Sequence, residues 1–153
     1  MKPYWLLILL IVNPLSGEMG RNASAQFDNS DLLRGMSPDA SQHFTRGLKY
    51  FEQGKYTEAI QPFQHALVQQ PSFPPANYYL AMLYVKLGQA GKAISYYKNA
   101  LQDAPDFAEA HYGLASAYRE LEEFDQAVSE YQKAIELAPD YVDAYQDLGV
   151  AYS

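Results

Sequence analysis

A chain of 153 residues with 48% hydrophobic residues is long enough to bury a modest core and too apolar to be disordered. Its formal charge of −7 argues against a basic nucleic-acid-binding surface. The absence of cysteine excludes disulfides, thiolate zinc sites and a cysteine nucleophile.

The N-terminus differs from the rest. Lys2 precedes an apolar run from Tyr4 to Val12, and Asn13-Pro14 follows it. Nine apolar residues are too few to span a bilayer as a helix. Positive charge, short apolar run and helix breaker, in that order, predict a secretory signal peptide over residues 1–25. Ala23-Ser24-Ala25 supplies the small-x-small cleavage pattern; a cut near Gly17 and an uncleaved membrane tether are the alternatives. No cysteine follows the run, which excludes a lipid-anchored signal. Cleavage takes Lys2 and Arg21 from the 11 basic residues and Glu18 from the 18 acidic ones, moving the charge from −7 to −8. The expected location is the periplasm or the cell exterior, with no membrane span after cleavage.

Residues 26–37 lack periodicity and read as a linker. Ser37-Pro38 then opens a helix, Ser37 as a cap and Pro38 in the first helical position. From here a 34-residue period governs the chain. Pro71, Pro105 and Pro139 are spaced by it, as are Tyr50, Tyr84, Tyr118 and Tyr152. Gly47, Ala81, Ala115 and Gly149 follow, all small, then Ala59, Ala93 and Ala127, then Phe63, Tyr97 and Tyr131, then Ala66, Ala100 and Ala134. Such a period means stacked units. They are residues 40–73, 74–107 and 108–141, with a remnant, 142–153.

Each unit reads as two helices. Gln53-Gly54 and Leu87-Gly88 break the first two, where glycine can take a left-handed backbone. The third turn, Leu121-Glu122-Glu123, has no glycine. The prolines end each second helix. Asp106 with Glu109, and more weakly Asp140 with Asp143, have the spacing of a capping box. Pro74-Pro75 opens the second unit, where proline is tolerated in a first turn.

Catalytic constellations are not evident. His43 and His111 occupy equivalent places two units apart, roughly 20 Å at about 10 Å per helix layer, too far to share a metal. His65 is expected on a second helix away from both. Gly88-Gln89-Ala90-Gly91 has no following Lys-Ser/Thr and is not a phosphate loop. Glu120, Glu122 and Glu123 read as a solvated turn. The sequence therefore predicts no enzyme, no metal and no cofactor.

The period and the residues at its offsets resemble the tetratricopeptide repeat family over Ala40 to Ser153. The family's frequent Trp near the start of the first helix is replaced by His43, Asn77, His111 and Tyr145, and Arg46 stands where Leu80, Leu114 and Leu148 stand. The resemblance implies an all-α, right-handed superhelical solenoid of helix-turn-helix repeats, three full repeats and a final single helix. It further implies that first helices line a concave groove. Partner-binding side chains would then be Phe44, Leu48 and Phe51 from the first unit, and Tyr78, Tyr79, Met82 and Lys86 from the second. Tyr112, Ser116 and Arg119 would come from the third, with Gln146 and Asp147 from the remnant.

Tyr79, Met82 and Tyr112 are expected to be the binding aromatics and thioether, and Tyr84 a side chain that holds the stack. Co-chaperones of the family grip a C-terminal carboxylate with Lys, Asn and Arg on this face; Phe44, Leu48, Tyr79, Glu109 and Gly113 hold the matching places. The implied function is protein–protein interaction, with a helix or extended peptide in the groove, in envelope assembly. The alternatives are a structural module that self-associates through its final helix, and the N-terminal part of a longer protein.

Overall fold

A computed structural model describes residues 36–152, which form seven α-helices. They are α1 (Pro38–Glu52), α2 (Tyr56–Gln69), α3 (Pro74–Lys86), α4 (Ala90–Asp103), α5 (Ala108–Glu120), α6 (Phe124–Leu137) and α7 (Val142–Ala151). No strand occurs among the described residues. The expected signal peptide and nearly all of the expected linker lie outside them. Each helix packs on the next in chain order, and α3 also meets α5 and α5 meets α7, so the array is an all-α solenoid.

Small residues set the spacing within each pair. A methyl group at Gly47 would come within 2.7 Å of Cε1 of Phe63, so α1 and α2 approach as closely as they do because that position has no side chain. Ala59, Ala66, Ala93, Ala100, Ala127 and Ala134 are fully buried along the second helices. Between them the rings of Phe63, Tyr97 and Tyr131 fill the core.

The turn inside each repeat has one geometry. Lys55 N–H donates to the Tyr50 carbonyl (2.9 Å) and Gly54 N–H to that of Phe51 (3.0 Å). Gln89 and Gly88 donate equivalently to Tyr84 and Val85, and Glu123 and Glu122 to Tyr118 and Arg119. This paired closure satisfies carbonyls left open at a helix end and needs one left-handed residue. Gly54 (φ 71°) and Gly88 (φ 68°) supply it at little steric cost; Glu122 is forced to φ 61°. Glu122→Gly should therefore raise stability by about 0.5–1 kcal/mol, the strain removed exceeding the backbone entropy added, as read by urea unfolding.

The N-termini divide into two kinds. Ser37 caps α1 as expected, its hydroxyl accepting from Ala40 N–H at 3.2 Å. The expected capping boxes do not form. Phe107 and Tyr141, not Asp106 and Asp140, occupy the cap positions of α5 and α7, and neither helix has a side-chain cap. Phe73 does the same for α3. Phe73 and Phe107 are buried. Burying a phenyl ring stabilises by about 1.5–3 kcal/mol and a polar cap by about 1 kcal/mol, so the aromatic takes the place.

Candidate interaction groove

The first helices α1, α3, α5 and α7 carry every residue expected to bind a partner, and the structure divides them into two groups. Phe44, Leu48, Tyr78 and Tyr79 are buried. This corrects the expectation that they line an open surface. Tyr79, only 3% exposed, packs among Phe44, Phe51, Phe63 and Tyr78, with ring centroids 5.3–5.9 Å away. Its ring stacks on Phe63 with an interplanar angle of 10°. Tyr78 packs on Phe107 (4.8 Å) and Tyr97 (5.9 Å). Burial pushes both phenols up. The physical reason is crowding: aromatic side chains at successive positions of α3 reach both neighbouring repeats and fill the seam between them.

The second group keeps surface. Phe51 on α1 and Met82 on α3 are half-buried, and Lys86 is exposed. Val85, one turn beyond Met82 and absent from the expected set, is half-buried beside it and extends the apolar part of the face. Its signal was available: residues three apart on one helix share a face.

At the other end, Tyr112 and Arg119 converge on Asp147 of α7, and Ser116 joins them through the Tyr131 hydroxyl. The Tyr112 hydroxyl donates to Asp147 Oδ2 at 2.8 Å, and Arg119 donates to Oδ1 at 3.0 Å. The Tyr131 hydroxyl reaches Oδ2 at 3.5 Å and lies 3.2 Å from Ser116 Oγ. Burial, then the bond to Asp147, pushes the Tyr112 phenol up, which keeps it a donor. Tyr131 comes from α6, a second helix, and sequence reasoning placed it in the core alone. Its ring is indeed core; only its hydroxyl reaches the groove, which Phe63 at the equivalent place cannot do.

The places that grip a terminal carboxylate in co-chaperones hold no cation here. Phe44, Leu48 and Tyr79 are buried, and Gly113 lies against the Tyr97 ring. Burial raises the carboxyl pKa of Glu109, at the fourth such place.

The histidines also differ from expectation in one respect. His65 is not remote from His43: their rings meet edge to face at 5.0 Å, because the first turns of α1 lie beside the later turns of α2. Among the described residues no group of three or more metal-ligating side chains forms. His111, 8% exposed, is held between Glu130 Oε2 (Nδ1, 2.6 Å) and the Pro105 carbonyl (Nε2, 3.0 Å). It takes the family's Trp place and ties α5 to α6 by polar contacts instead. Burial alone would raise the Glu130 carboxyl; hydrogen bonds from His111 and Lys133 outweigh that and hold it below its ordinary value of 4.5. A depressed pKa contributes stability that is present above the unfolded value and lost as pH falls through the folded one. Glu130→Gln should thus lower stability at neutral pH by about 1–3 kcal/mol and flatten the loss below about pH 4.5, as measured by urea titration across pH.

A sequence model of the family described as "Tetratricopeptide repeat" matches residues 78–142, and one described as "TPR repeat" matches residues 47–88. The chain belongs to the tetratricopeptide repeat (TPR) family. Solved TPR structures agree with its fold. The first TPR of Spaghetti (RPAP3), bound to the HSP90 peptide SRMEEVD, is 27% identical with a TM-score of 0.74, covering 76% of this chain and 92% of that one. The first TPR domain of human RPAP3 is 26% identical with a TM-score of 0.71, covering 74% and 90%. MamA, at 23% identity, shares the fold with a TM-score of 0.73, covering 92% and 85%. No curated protein sequence matches this TPR chain.

Proposed function

We propose that this TPR chain is an exported scaffold whose concave groove binds a helix or an extended segment of a partner protein, in envelope assembly. The observation that carries the reading is the face left open on the first helices. Phe51, Met82 and Val85 are half-buried apolar side chains at one end, and the Tyr112–Arg119–Asp147 cluster lies at the other. A solvent-facing apolar strip beside ordered polar groups suits an amphipathic segment. The first TPR of Spaghetti (RPAP3) bears a peptide on the same fold. Here the carboxylate-gripping places are filled by apolar or acidic side chains, so the partner is read through the Met82–Lys86 strip and not through a C-terminal carboxylate. Export rests on Lys2, the Tyr4–Val12 run and Ala23-Ser24-Ala25. The proposed role is binding, with no catalytic step.

Met82→Glu combined with Lys86→Glu tests the groove. Met82 is half-buried and Lys86 exposed, so the fold survives, and helical content by circular dichroism should not change. Capture of partner from envelope extract should fall by at least about tenfold, given that a desolvated apolar anchor is worth more than about 1.4 kcal/mol. Unchanged capture overturns the groove assignment.

A further inference from the structure

The third repeat holds a partly buried carboxylate in the groove with no cation beside it. Glu109 lies in the first turn of α5, on the same face as Tyr112 three residues later. Among the described residues, the ion pairs go elsewhere: His43 to Asp39, His111 and Lys133 to Glu130, and Arg119 to Asp147. Lys92 and Lys98 sit over the Tyr84 and Tyr118 rings. Lys86 is eight residues beyond Tyr78 on α3, about 12 Å along the helix axis. Burial raises the Glu109 carboxyl pKa and outweighs the hydrogen bond from its own backbone N–H. Its charge is therefore less stable here than in water.

Tyrosine surrounds it. The Tyr112 and Tyr141 rings are half-buried with centroids 4.8 Å apart, and Tyr78 is buried. Burial first, and then neighbours that include Glu109, push the Tyr78 and Tyr141 phenols up, so these groups share one poorly solvated pocket. The phenols stay neutral, and their ring faces attract cations. Asp143 stands on α7 at the place equivalent to Glu109, close enough for its charge to act on Tyr112 and Tyr141. A partner carboxylate would be repelled here. An apolar occupant would complete the burial of Glu109 without pairing it, which is costly. We propose that Glu109, Tyr112 and Tyr141 form a receptor for one arginine or lysine side chain of the partner protein, its charge on the Glu109 carboxylate and its stem along the tyrosine rings. The inference rests on the groove reading above and adds what the partner must carry.

The probe is a phage library of random dodecapeptides selected on the immobilised full chain. Selected peptides should share arginine or lysine at one position, and the best binder is then synthesised with a fluorescent label. Norleucine in place of that cation should weaken binding to the parent protein by about tenfold or more, and to Glu109→Gln by less than about threefold. Glu109→Lys should instead prefer the peptide with glutamate at that position. Tyr141→Leu, which removes one ring face, should weaken the parent peptide about threefold. Glu136→Gln, an exposed carboxylate on α6, controls for general attraction by an acidic chain and should change nothing. Glutamine keeps the shape of Glu109 and removes a charge that burial disfavours, so helical melting of Glu109→Gln should be unchanged or higher. Binders without a shared cation, or a cation that matters equally to the parent and Glu109→Gln, overturn this inference alone. A library that yields no peptide weakened by Met82→Glu with Lys86→Glu overturns the groove reading and this inference with it.

Discussion

Tyr79→Ala should remove about 3–5 kcal/mol from the unfolding free energy, the range for deleting a buried aromatic ring. A domain of this size holds about 5–15 kcal/mol in all, so the loss is a large share of its stability. Tyr79 packs against four rings from α1, α2 and α3, and truncation leaves a cavity where the first two repeats meet. Because each repeat of a solenoid is stabilised by its neighbours, the first repeat should then melt ahead of the rest. Tyr79→Phe keeps every ring contact and should cost less than about 1 kcal/mol. Urea unfolding followed by circular dichroism reads both. A Tyr79→Ala protein as stable as the parent would mean that the ring is not part of the core.

Gly113→Ala should be destabilising even though alanine favours helices by about 1 kcal/mol over glycine. A methyl group there would overlap Cζ and Oη of Tyr97, a ring buried between α4 and α5. Overpacking of this kind costs about 1–3 kcal/mol beyond what propensity returns. Gly91→Ala on α4, where an added methyl meets nothing within 4 Å, is the control and should be neutral or stabilising. The two changes should also differ in coupling. With Tyr97→Ala already present, Gly113→Ala should lose its penalty, a non-additivity that a double-mutant cycle measures directly. Additive effects would place the clash elsewhere.

These two positions show where the sequence was legible. The 34-residue period marked Gly47 as a place of close approach, because its equivalents are all small. It did not mark Gly113, whose equivalents Thr45, Tyr79 and Asp147 share no size. The reason is that the Tyr97 ring leans across to the following repeat, and only coordinates reveal a lean. The same holds for Tyr79. Its place on the first helix pointed to the groove, yet the bulky residues around it turned that part of the groove into core.

The capping boxes failed for a related reason. Asp106 and Glu109 have the right spacing, but Phe107 between them gains more from burial than the cap would. Local hydrogen-bonding patterns compete with burial, and burial depends on what lies across the helix. His43 and His65 met in space because adjacent helices run side by side, which spacing along the chain does not encode.

By itself the sequence determined the family, the helix-turn-helix units, the glycine turns and the identity of the residues that form each layer. All of these follow from a period and from local backbone preference. Only the tertiary structure decided which aromatics face solvent. It buried Tyr78 and Tyr79, left Met82 and Val85 on the surface, gathered Tyr112, Ser116 and Arg119 around Asp147, and exposed Tyr145 and Tyr152 on the last helix. The physical reason is that a repeat fixes a residue's direction, whereas its exposure depends on the size of its neighbours in the adjoining repeat.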